Sequence, residues 1–85
     1  MNYRLYLDHG VHETYRSLPE PVRQRLAAML VDALIDPFAA TRPYGIGDEG
    51  DEVAMRLMSA PDLVVVLLVT ATKTVTVLSI SYLNV

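Results

Sequence analysis

A single α+β domain is predicted, in the order strand, helix, helix, strand, strand, strand, with a helical pair packed on one face of an antiparallel sheet. Three observations predict it. Tyr3, Leu5 and Leu7 alternate with Arg4, Tyr6 and Asp8, a period of two. Val22, Leu26, Met29, Leu30 and Ala33 recur at helical spacing. From Val53 onward, three aliphatic and β-branched segments are separated by short turn-like breaks. Residues 1–85 are read as one domain, because a chain of 85 residues has room for one core and its 52% hydrophobic content supplies that core.

The first strand runs over Asn2 to Asp8. Asp8 then caps a short helix in which Val11, Tyr15 and Leu18 share a stripe. Ser17 and Glu20 have the spacing of a capping box, which would start the second helix. That helix ends at Asp36-Pro37, since the residue before a proline is pushed out of the helical region. Asp32 and Asp36 lie near its negative end, where acids are unfavourable. With no local reason to be there, they are assigned to a partner-binding surface, together with Arg23 and Arg25. The other reading of the two arginines is a solvated helix face.

Phe38 to Glu52 has no periodicity and concentrates Asp48, Glu49, Asp51 and Glu52 among glycines, so it reads as a mobile acidic loop. Strands follow over Val53 to Ser59, Leu63 to Thr70 and Thr74 to Leu83. Ala60-Pro61-Asp62 and Ala71-Thr72-Lys73 serve as hairpin turns. Leu63 to Val69 is apolar on both faces, which places it mid-sheet. Helices on one face leave its other face to be covered by the acidic loop or by another chain, so a homodimer or a partner complex is expected.

Composition excludes several classes of function. Without cysteine there is no disulfide framework or thiolate metal site, and a cytoplasmic home is the expectation. Seven apolar residues in a row are too few to span a bilayer, and Met1 to Gly10 lacks the pattern of a signal peptide. A net charge of −3 argues against broad capture of nucleic acid. His9, His12 and Glu13 offer too few ligands for a metal centre, and no cofactor motif is present.

The segments Ser17-Leu18-Pro19-Glu20-Pro21-Val22-Arg23, Ile35-Asp36-Pro37, Arg42-Pro43-Tyr44-Gly45 and Met55-Arg56-Leu57-Met58, in this element order, resemble the RelE/ParE toxin superfamily. The resemblance spans nearly the whole chain and rests on pattern. It implies a cytoplasmic bacterial toxin of a type II toxin–antitoxin pair, silenced by an antitoxin. One branch of the family cleaves mRNA at the ribosome, without metal, and another poisons DNA gyrase. Cleavage needs converging cations to stabilise the phosphorane and an acid for the leaving oxygen.

Carried over by resemblance, Arg56 matches the first basic position of the second strand. The next such position is Met58, and the arginine expected near the start of the third strand falls at about Val64, so two cations are missing. The Gly-His-Arg-like segment and late tyrosine that follow the family's last strand are replaced by Tyr82-Leu83-Asn84-Val85. Tyr82 is the candidate acid or stacking group, and Arg42, Arg56 and Lys73 are the candidate nucleic-acid contacts. Apart from the resemblance, Arg56 is read either as pairing with an acid such as Asp51 or as facing a ligand groove. Tyr44, Tyr3 and Tyr6 are read as packing groups.

Two functions follow. As an mRNA endonuclease, the chain would lose growth arrest in Arg56→Ala while keeping its fold. As a non-catalytic binding module, it would act on gyrase or persist as a non-toxic homodimeric regulator that keeps the antitoxin contact.

Overall fold

The computed structural model describes residues 2–83; Met1, Asn84 and Val85, including the last half of the Tyr82–Val85 segment, lie outside them. The elements are β1 (Arg4–Leu7), α1 (His9–Ser17), α2 (Glu20–Ile35), α3 (Pro37–Ala40), β2 (Arg42–Pro43), β3 (Val53–Ala60), β4 (Leu63–Thr70) and β5 (Thr74–Tyr82). They build one five-stranded sheet in the order β1-β5-β4-β3-β2.

β4 occupies the centre, as its two apolar faces require. It pairs antiparallel with β3 and β5 through the two short turns. The sheet is mixed rather than wholly antiparallel, because β1 lies parallel to β5, with Leu5 beside Val75 and Leu7 beside Val77. A parallel neighbour needs a long crossover, which the helices supply. In the turn from β4 to β5, Lys73 takes a left-handed conformation with φ 65°, the shape a three-residue hairpin loop demands of its last residue.

The core lies between the helices and one sheet face. Leu26 and Ala33 of α2 are fully enclosed, as are Leu63, Val65, Leu67 and Val75 of the strands. Asp8 caps α1 by accepting a 2.8 Å hydrogen bond from the Val11 amide. The expected capping box does not form: Ser17 Oγ turns back to donate to the Thr14 carbonyl, and Pro19 stands at the start of α2 with no side-chain cap. Pro21 in the first turn makes that start tolerable, since an amide missing there would have had no helical partner.

Phe38 to Glu52 is more ordered than its composition suggests. Asp36 ends α2 and its carboxylate accepts from the Ala39 amide at 3.3 Å, which starts α3 and supplies the local reason for this acid. Arg42 and Pro43 then pair with Leu57 and Arg56 as an edge strand. Pairing continues as Tyr44 donates to the Met55 carbonyl and Met55 to that of Ile46. The acidic stretch closes into a turn, with the Asp51 amide donating to the Asp48 carbonyl. The chain therefore runs along the β3 edge and does not fold over the outer face of β4, where Val64, Val66 and Leu68 remain half-exposed. Among the described residues, no helix is long and apolar enough to cross a membrane.

Candidate partner-binding groove

The end of α2, together with α3, faces the β2–β3 edge across an open groove of about 540 Å³. Asp32 and Asp36 line its helical side and Arg42 the strand side, with Met29, Leu57 and Met58 among its apolar lining. Asp32 is exposed and takes no ion-pair partner among the described residues. Arg42 donates to Ser59 Oγ at 2.8 Å. β2 stops at Leu57, so Met58 to Ala60 have no strand neighbour on this side. A groove with an acidic wall, an apolar floor and an open strand edge suits an extended or helical peptide segment carrying a basic group.

Three residues assigned from sequence, Asp32, Asp36 and Arg42, thus meet in one place. Arg56 lies beneath them and faces neither a ligand groove nor Asp51. At 6% exposure it projects to the helical side of the sheet. Its Nε donates to Thr41 Oγ1 at 2.8 Å, and Nη2 donates to the carbonyls of Thr41 at 2.8 Å and Phe38 at 3.3 Å. Its guanidinium carbon also stands 4.9 Å from the centre of the Phe38 ring, a cation–π distance. Arg56 therefore positions Thr41, a wall of the groove. Met58 is buried on the same side at 5% exposure, so it is not the outward position expected from the resemblance. The outward residues of β3 are Val53, Met55, Leu57 and Ser59.

The other candidates do not converge. Lys73 sits in the β4–β5 turn with Nζ 5.3 Å from the centre of the Tyr3 ring. Tyr82 is at the far end of β5, opposite Leu63 and packed against the core, roughly 25–30 Å of strand away. Arg23 neither simply solvates α2 nor stands free. It donates at 3.2 Å to the carbonyls of Arg16 and Leu18, fastening the end of α1. Arg25 forms an ion pair with Asp62, tying α2 to the β3–β4 turn.

The hydrogen bond from Arg25 is the main reason the Asp62 carboxyl is held below its ordinary value. A depressed folded-state pKa means that the pair's stabilisation is present above the unfolded pKa and is lost as pH falls through the folded one. Arg25→Ala should move the Asp62 titration, followed by NMR, upward toward the usual carboxylate range. An unmoved titration would show that the two are not coupled.

Comparison with solved structures decides the architecture. RelE of the archaeal RelE–RelB complex from Pyrococcus horikoshii superposes with a TM-score of 0.80 at 18% identity, covering 99% of this chain and 98% of that one. The isolated E. coli RelE toxin gives 0.73 at 24% identity, over 98% and 86%. This chain has a RelE-like fold. The intact E. coli RelBE toxin–antitoxin complex adds a TM-score of 0.71 at 24% identity, over 94% of this chain and 95% of that one. No family model matches the sequence, and no curated protein matches it. As a RelE-like chain it is divergent, at 18–24% identity to these structures, and its outer sheet face is apolar at the centre. The centre of that face is Met55, Leu57, Val64, Val66 and Leu68 with threonines beside them, and its cations, Arg4 and Arg42, lie on the outer strands.

Sequence reasoning missed Thr41, Leu57 and Ser59 as groove residues. The Arg42-Pro43 edge strand brings them together, and two residues in an aperiodic stretch carry no strand signal.

Proposed function

We propose that this chain is the toxin component of a toxin–antitoxin pair and that the groove between α2–α3 and β2–β3 seats a segment of its antitoxin. The observation that carries this reading is the meeting of Asp32, Asp36 and Arg42 over an apolar floor, beside an open strand edge. Support comes from the RelE-like fold, whose solved counterparts include complexes with antitoxins. The antitoxin segment would present a lysine or arginine to Asp32 and lay apolar side chains on Met29 and Met58.

Cleavage of mRNA has less support. Its transition state gathers negative charge that several cations must meet, yet Arg56 is enclosed and Lys73 and Tyr82 lie at opposite ends of β5. Arg42 is an exposed cation beside the groove, and its replacement bears on that activity. Action on gyrase would appear instead as DNA-damage signalling with intact mRNA.

The test is expression with and without the product of the adjacent small gene, following growth, co-purification and the ends of cellular mRNA. Arrest relieved by a co-purifying neighbour is expected. Asp32→Lys and Asp36→Asn, the latter keeping the α3 cap, should each weaken the complex by about tenfold or more, on the order of 1.4 kcal/mol, without lowering the melting temperature. Unchanged affinity in both variants would remove the groove as the antitoxin site.

A further inference from the structure

Apart from a bulge at Leu78, β5 is paired with β4 from Thr74 to Tyr82, but on its other side, among the described residues, only Thr74 to Val77 have a neighbour, the short strand β1. Leu78 to Tyr82 therefore present an unpaired strand edge about 17 Å long. Proteins commonly blunt such edges with charge or proline. Beyond the bulge at Leu78, the β5 edge carries neither, for no charged residue or proline occurs from Thr74 to the last residue. Exposed apolar groups also gather there: Leu78 is 41% exposed, Leu83 at its far end 54%, and Tyr6 on the adjoining β1 48%.

We propose that a second copy of this chain adds antiparallel along this edge, about a two-fold axis through Ile80, joining two five-stranded sheets into one. The alternation of faces permits this register. Ser79 and Ser81 are exposed, with the former opposite Val66 and the latter opposite Val64 on the outer face, while Ile80 lies opposite the buried Val65. Centring on Ile80 sets Ser79 against Ser81 of the second copy and Ile80 against itself, so like faces meet like and both helical layers stay on one side. An uncharged edge meets its own copy without like-charge opposition. The antitoxin is the less fitting occupant, because the chemistry that would recognise a basic segment is in the groove at the opposite edge. The inference does not rest on antitoxin binding.

The pairing is tested on the full chain, purified alone, by sedimentation velocity and native mass spectrometry across micromolar concentrations. A dimer is expected, and Ser79→Lys with Ser81→Lys, both at exposed positions, should raise its dissociation constant at least tenfold with unchanged circular dichroism. Hydrogen exchange gives a second reading that needs no variant: amides of Leu78 to Tyr82 should slow as concentration rises. A chain that stays monomeric to about 100 µM, or a dimer lost in Leu68→Lys on the outer face but kept in the serine variants, overturns the proposal.

Discussion

Arg56→Ala is expected to lower stability by about 2–4 kcal/mol, enough to drop the melting temperature of a domain this size by roughly 10 °C or more. The guanidinium is enclosed and satisfied by neutral acceptors, so its removal strands the carbonyls of Thr41 and Phe38 and leaves a void against the Phe38 ring. Lysine cannot reproduce the fork that reaches Thr41 and Phe38 together, so Arg56→Lys should recover part of the loss. Thermal and urea denaturation of the three proteins checks this. A melting temperature unchanged in Arg56→Ala would mean that the buried hydrogen bonds contribute nothing net. The result bears on function, because lost growth arrest in an unfolded Arg56→Ala protein would not reveal catalysis. The sequence reading, in which this variant keeps its fold, is replaced by that expectation.

Gly47→Ala is expected to cost about 2–3 kcal/mol or to detach the edge segment from β3. Gly47 has φ +85°, a left-handed conformation, and a Cβ there would stand 2.1 Å from the Val53 carbonyl oxygen and 2.6 Å from the Ala54 Cα. Neither backbone atom can retreat without breaking the strand. The segment's pairing with Met55 should therefore open, exposing the Tyr44 and Met55 amides to exchange while the β4 amides stay protected. A variant with wild-type melting and unchanged exchange at those amides would show that the loop accommodates a side chain. Arg42 precedes this segment, so the same change should also weaken antitoxin binding if the groove is its seat.

Much of the framework was legible in the sequence because it depends on periodicity. The stripe of Val22, Leu26, Leu30 and Ala33 is buried as its spacing required, and the two-residue alternation of Tyr3, Leu5 and Leu7 points inward. The turns at Pro61-Asp62 and Ala71 to Lys73 lie where short polar breaks interrupt aliphatic runs. Asp32 and Asp36 stand out in the sequence because acids near the C-terminal end of a helix are unfavourable, and both line the groove. Asp36 proved to serve a second purpose as the α3 cap.

Arg56 marks where local reasoning ended. Its strand neighbours Ala54 and Met58 correctly placed it on one face, but the sequence did not show that this face would be enclosed by α3. α3 is only four residues long and β2 two, and neither is long enough to show a period. Whether the cation met solvent, Asp51 or the carbonyls of Thr41 and Phe38 depended on how Phe38 to Pro43 crossed the sheet edge. Arg23 is similar: its polar-face position was evident, whereas its bonds to Arg16 and Leu18 follow from the angle between two helices.

By itself the sequence determined the order of the six longer elements and their apolar faces, because side-chain alternation and helical spacing are written residue by residue. Only the tertiary structure decided that β1 joins β5 in parallel, that Arg56 is a buried strut, and that Asp32, Asp36 and Arg42 share a groove. Those outcomes are set by contacts between segments distant along the chain, and such contacts leave no period in the sequence to read.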